Sequence, residues 1–209
     1  MELNVDNFWS YGYDVTQLSV EDHAVLWSLI HEEIWMDSVL PNQKTVSWSN
    51  NIKTKHRQQL FDKNKDEWPM RNNNIPSEYM DIVSKIWNGD YYQSYFTKYW
   101  NKKSEIVYID LWNGTPAHEW HNHTHEGIDL VLLMYLTDTT EWEYDYGGIL
   151  HIGNKIIKTQ DVSLNNFVLP NNKTVVLINN INPKIVHSVS EQTIDLNRYT
   201  IGTGIKLWN

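Results

Sequence analysis

The stretch HEWHNHTHEGIDLVLLMYL, residues 118–136, decides how this chain is read. Its first half carries four of the nine histidines, at His118, His121, His123 and His125. Its second half, Ile128 to Leu136, is an apolar run rich in β-formers that opens after Gly127 and reads as a buried β-strand. The run contains Asp129 and is far too short to span a membrane. Working outward, further β-rich runs lie at Ile106–Trp112, Ile149–Ile152, Ile156–Thr159, Thr174–Ile178, Ile185–Val189 and Arg198–Lys206. Turn signals separate them at Gly147-Gly148, Gly153-Asn154, Pro170-Asn171-Asn172 and Asn180–Pro183. Short strands punctuated in this way predict two sheets closed into a sandwich or barrel.

Upstream the pattern is helical or irregular. Ser19-Val20-Glu21-Asp22 reads as a capped helix start, followed by Val25, Leu26, Leu29, Ile30 and Ile34 at helical spacing, with Pro41 closing the element. Residues 42–74 are polar and read as loops with short helical pieces. Pro76-Ser77-Glu78 opens a second helix that breaks at Asn88-Gly89, and Asp90 to Trp100 forms a third, aromatic one. Residues 1–104 are therefore expected to support a β core at 105–209. No repeat or linker divides the chain, so one domain over 1–209 is expected.

Composition narrows the function classes. The 209 residues are 41% hydrophobic and include eleven Trp and twelve Tyr, enough for a packed core. There is no cysteine, which excludes disulfides, thiolate metal sites and cysteine nucleophiles. A formal charge of −9 argues against general binding to nucleic-acid backbones. The N-terminal MELNVDNFWSYGYD is acidic and has no apolar segment, so no leader is read there and a cytoplasmic location is expected.

The histidines point to metal chemistry. Neutral imidazole is a good ligand for transition metals. Two histidines at i and i+2 on an extended strand face the same side, so either His121 with His123 or His123 with His125 can offer two ligands. His187, on the run Ile185–Val189, is the natural third. Three protein ligands leave positions open for substrate and oxygen. A lone histidine is ordinarily just solvated, and His23, His31, His56 and His151 read that way. The acidic stretch Thr140–Tyr146 is either a mobile flap or a solvated loop.

Taken in order, Asp110-Leu111-Trp112-Asn113, His123-Thr124-His125, Met134-Tyr135-Leu136, Gly147-Gly148-Ile149-Leu150, His187-Ser188-Val189 and Arg198-Tyr199-Thr200 form a recognisable series. It resembles the iron(II)/2-oxoglutarate-dependent oxygenases over about residues 105–206. The nearest pattern is a subgroup with an H-x-H pair, common in phages and marine bacteria and broadly related to prolyl 4-hydroxylases. The resemblance implies a double-stranded β-helix, or jelly roll, with the N-terminal helices flanking it. It implies Fe(II) held by His123, His125 and His187, with His121 the alternative first ligand. It implies 2-oxoglutarate held by Arg198, with Thr200 and Tyr135 beside it and Asn113 a weaker candidate. The implied reaction is oxidation, by hydroxylation, of a small-molecule or peptide substrate using O2, with release of succinate and CO2. The implied location is cytoplasmic, in a host cell if the source is a phage.

One departure stands out. The usual facial triad has two histidines and a carboxylate, whereas His125 stands where the carboxylate is expected. Glu126 and Asp129 are the nearby acids. A three-histidine site would also suit a cupin-type dioxygenase or isomerase that uses no 2-oxoglutarate and has no need of Arg198. A third possibility is a binding module without catalysis.

Overall fold

The computed structural model describes residues 3–31, 56–62, 85, 96–97, 100–114, 117–156 and 162–209. Among the described residues the bounded strands and α-helices follow in the order α1 (Val5–Ser10), β1 (Tyr13–Gln17), α2 (Val20–His31), β2 (His56–Asp62), β3 (Lys103–Asn113), β4 (His118–His121), β5 (Leu130–Thr137), β6 (Leu150–Lys155), β7 (Val162–Val168), β8 (Thr174–Asn179), β9 (Ile185–Val189) and β10 (Arg198–Trp208). The strands form a six-stranded sheet, β1-β8-β5-β10-β3-β2, and a four-stranded sheet, β4-β9-β6-β7. Every neighbouring pair is antiparallel. This is the expected jelly roll with flanking helices.

The central strand β5 explains why its sequence is apolar without alternation. Leu130, Leu132, Met134 and Leu136 point outward and pack with Phe8, Leu18, Leu26, Ile30 and Phe96 of the N-terminal layer. Val131 and Tyr135 point inward, into a second cluster with Leu150, Ile152, Val176, Ile178 and Ile185 between the sheets. A strand covered on both faces has no solvent side to mark with polar residues. Its neighbour β10 follows the same rule: Tyr199 and Ile201 belong to the outer cluster, so Arg198 and Thr200 take the inner face.

The N-terminal part is more β-rich than its sequence suggests. β1 pairs with β8 and β2 with β3, so two strands from a segment expected to be helical or irregular lie at the two edges of the large sheet. Five residues between two helices, or the polar run HRQQLFD, carry too little pattern to be read alone; ladder pairing supplies the missing stability. Helix α2 begins where expected. The Asp22 amide donates to Ser19 Oγ at 3.0 Å, while the Asp22 carboxylate binds Lys85 Nζ at 2.7 Å. The expected loops at 42–74 lie outside the described residues except for β2, and so do nearly all of the helices expected at 76–88 and 90–100. Lys85, Phe96, Thr97 and Trp100 within them are helical. Downstream, Gly153-Asn154 is not a turn. β6 runs through it with a bulge between Ile152 and Gly153, and the next described strand is β7 at Val162–Val168; the strand expected at Ile156–Thr159 lies outside the described residues apart from Ile156. Among the described residues no helix is long and apolar enough to cross a membrane.

The two sides of the scaffold should respond differently to truncation. Leu132 is fully buried and Leu164 is 55% exposed. Leu132→Ala should cost about 2–5 kcal/mol in urea unfolding and Leu164→Ala no more than about 0.5 kcal/mol.

Candidate metal centre

β4 and β9 lie side by side in the smaller sheet, and their register sets His121 directly opposite His187. A bulge lies between His118 and His121, since three steps along β4 match two along β9. Ile185 and Val189 of β9 both pack into the inter-sheet cluster, so His187, two positions from each, faces inward as well. The chain leaves the strand after His121, and His123 has φ −105° and ψ 19°. This bend brings the His123 ring back over the other two. Ring centroids stand 4.3 Å apart for His121 and His187, 5.0 Å for His121 and His123, and 5.3 Å for His123 and His187. One ligand nitrogen from each of the three lies within 4.8 Å of the others. Among the described residues no Asp or Glu joins this group.

Two of the rings are held in a definite tautomer. The partners of Nδ1 can only accept: the Glu119 carbonyl for His121, at 2.6 Å, and Glu126 Oε2 for His123, at 3.0 Å. Both Nδ1 atoms therefore carry the proton, and both Nε2 atoms are free to donate a lone pair. His187 Nδ1 is buried without a hydrogen-bond partner among the described residues. An orphaned buried nitrogen costs about 1–3 kcal/mol, a cost that a metal bound at that nitrogen would offset. Burial holds the His187 imidazole well below the ordinary histidine pKa, with His121, His123 and His118 adding repulsion. Burial also lowers His123, against the opposing pull of Glu126. Neutral imidazoles are the form that binds metal, so the donor set fits a first-row divalent ion.

The convergent set is thus the alternative pair, His121 and His123, with His187. The preferred pair, His123 with His125, is not brought together. Residues 124–126 form a 3-10 turn rather than a continued strand. With three residues per turn, position i+3 returns to the side of i, so Glu126 meets His123 while His125 points away. The His125 side chain is 75% exposed, and its contact to Glu126 Oε1 is a loose 3.4 Å. Asp129 is also accounted for elsewhere: its Oδ2 accepts from the Leu207 amide at 2.7 Å. Of the remaining histidines, His23 Nε2 is 2.8 Å from Asn172 Oδ1, and His151 lies beside Trp120. The side chains of His31 and His56 lie outside the described residues.

Across the inter-sheet space stands the cation. Arg198 is 2% exposed, at the start of β10. Its Nη1 donates to Thr200 Oγ1 at 3.0 Å, and its Cζ lies 4.9 Å from the centre of the Tyr135 ring. Thr200 and Tyr135 are directly opposed in the β5–β10 register. Burial lowers the Arg198 pKa, opposed by Tyr135, and raises that of Tyr135, opposed by Arg198. The guanidinium remains charged at any physiological pH because its starting value is so high. Asn113 ends β3 with its backbone paired to Tyr199, and Gly114 N donates to the Arg198 carbonyl at 3.1 Å. The Asn113 side chain lies outside the described residues.

The site also uses residues to which the sequence assigned no part in it, Gly148 having been read only as a turn and as a member of the recognised series. Gly148, at φ +65°, leaves the room that the arginine needs: a Cβ there would stand 3.0 Å from Arg198 Cδ and 3.1 Å from Nε. Gln192 folds the β9–β10 loop by donating to the carbonyls of Ile194 and Leu196 at 2.9 and 2.8 Å. The acidic stretch 140–146 is tethered rather than flap-like. Trp142 is buried, with its indole N–H donating to the Gly147 carbonyl and its amide to Asn171 Oδ1, both at 2.8 Å.

No family model matches the sequence, and no curated protein matches it. Solved structures do match. A 2OG-Fe(II) oxygenase family oxidoreductase from Burkholderia pseudomallei superposes with TM-score 0.61 at 10% identity, covering 96% of this chain and 86% of that one. A prolyl-4-hydroxylase from Pseudomonas putida gives TM-score 0.51 at 12% identity, covering 97% and 96%. A prolyl hydroxylase from Trichoplax adhaerens, in complex with a hypoxia inducible factor peptide fragment, gives TM-score 0.57 at 14% identity, covering 97% and 87%.

The geometry separates two histidines that the sequence leaves equivalent. His121→Ala should abolish tight Co(II) binding in an anaerobic absorbance titration, whereas His125→Ala should leave it within a few-fold of wild type. At identities this low the likenesses speak to architecture, and the chain has the double-stranded β-helix fold shared by these oxygenases.

Proposed function

We propose that the chain is an iron(II)- and 2-oxoglutarate-dependent dioxygenase that hydroxylates a small-molecule or peptide substrate and releases succinate and CO2. The observation that carries this reading is a buried guanidinium, Arg198 with Thr200, lining the same inter-sheet space as the group His121, His123 and His187. His121, His123 and His187 would hold Fe(II), which when bound supplies a centre for 2-oxo acid chelation and O2 activation.

The rest follows from this chain's own groups. Arginine presents a planar fork of donors that matches a carboxylate, and in a buried cavity that match is worth more than in water. Arg198 would grip the far carboxylate of 2-oxoglutarate, with the Thr200 hydroxyl as a second donor. Tyr135 stacks under the guanidinium and fixes its plane. Asn113 is kept as a weaker member of the same pocket. Leu133 of β5 is half-buried and packs against the inter-sheet cluster. The peptide complex of the Trichoplax adhaerens neighbour makes a peptide one class of substrate to screen.

The cupin-type reading, with three histidines and no 2-oxoglutarate, draws on the same ligand set but gives a buried arginine no task. Anaerobic addition of Fe(II) and 2-oxoglutarate should produce the visible charge-transfer band of a chelated 2-oxo acid. In Arg198→Ala the metal should still bind while 2-oxoglutarate affinity falls by about 30-fold or more. Metal uptake by the wild-type chain with no 2-oxoglutarate binding at all would favour the cupin-type reading. A succinate-release screen over peptides, amino acids and nucleosides then identifies the substrate.

A further inference from the structure

We propose that Glu126 is the missing carboxylate of this metal site, moved out of the coordination sphere and placed behind His123 as a positioning residue. The inference rests on the reading that His121, His123 and His187 hold a divalent metal. Three neutral imidazoles leave the ion more positive, by one carboxylate's charge, than the usual two-histidine, one-carboxylate set does. Among the described residues, an acid that could make up that charge is tied directly to a ligand: Glu126 Oε2 accepts the Nδ1 proton of His123 at 3.0 Å. Through the ring this makes Nε2 a stronger donor and fixes the ring's orientation.

The turn makes this placement a built feature rather than a chance surface contact. Glu126 N donates to the His123 carbonyl at 3.0 Å and Gly127 N to that of Thr124 at 3.1 Å, closing the 3-10 turn that folds position 126 back over position 123. Gly127 ends the turn at φ +70°, where a Cβ would meet nothing nearer than Lys206 Nζ at 4.0 Å, so the glycine is needed for its backbone and not for space. Asn122 anchors the other end. Its Oδ1 accepts from Thr124 N at 3.3 Å, and its Nδ2 donates to the Pro183 carbonyl at 3.1 Å, beside the start of β9. The side chain of Glu126 is 47% exposed, and its other oxygen makes the loose contact to His125. His123 itself is only 19% exposed.

The test is an anaerobic Co(II) titration of the full chain, read by the visible d–d bands, on wild type, Glu126→Gln, Glu126→Ala and His187→Ala. Glutamine keeps an acceptor for Nδ1–H but removes the charge. Glu126→Gln should weaken Co(II) binding about 10- to 100-fold, with the metal-free thermal midpoint unchanged. With iron loaded, its Fe(III)/Fe(II) midpoint potential should rise, because the oxidised ion loses more from the missing charge. Wild-type affinity and potential in Glu126→Gln, with His187→Ala inactive in binding, would overturn this proposal alone. Loss in Glu126→Ala but not in Glu126→Gln would also overturn it, reducing Glu126 to a hydrogen-bond acceptor. Undiminished Co(II) binding by His187→Ala would overturn the three-histidine site itself and this proposal with it.

Discussion

The antiparallel ladder between β4 and β9 is the contact on which the site depends. It sets His121 against His187 across two strands, and a cross-strand pair of this kind stands a few ångströms apart by virtue of the ladder alone. No flexible loop has to close for the two rings to meet. The third ring arrives because the strand ends there: the 3-10 turn after His121 brings His123 back toward the pair and folds Glu126 behind it. A continued strand would have sent His123 and His125 along the edge of the sheet instead.

The large sheet makes the complementary half by burying both of its faces. The N-terminal helices and Phe96 cover the outer side, so Leu130, Leu132, Met134, Leu136, Tyr199 and Ile201 can supply stability there. The inner side is then free to carry groups that stability would not choose. A buried guanidinium and a buried tyrosine both cost desolvation energy. That cost is tolerable because the apolar cluster lies on the opposite face of the same strands. Structural and chemical roles alternate residue by residue along β10, Arg198 and Thr200 inward, Tyr199 and Ile201 outward.

Much of this was legible in the residues. The strand at 185–189 is marked by its composition and lies where expected, and the start of α2 is written in Ser19 and Asp22. Arg198 and Thr200, two apart on a strand, had to share a face. Other features were not legible for identifiable reasons. β1 and β2 exist because neighbouring strands pair with them, and no local pattern records that. The choice of His121 over His125 turned on where β4 stops. Period two predicts a shared face only while the chain stays extended, and a single turn of 3-10 helix replaces it with period three. The role of Gly148 beside Arg198 joins residues fifty positions apart and leaves no mark in either segment.

The sequence by itself determined the kind of chemistry: a cluster of imidazoles without cysteine, an arginine in a late strand, and enough alternating and apolar runs to require two sheets. Only the tertiary structure decided which three imidazoles converge, which acid stands behind them and which face of each strand is lined with polar groups. The physical reason is that ligand type is a property of the side chain, whereas convergence is a property of register. Register is fixed by hydrogen bonds and packing between strands far apart in the chain.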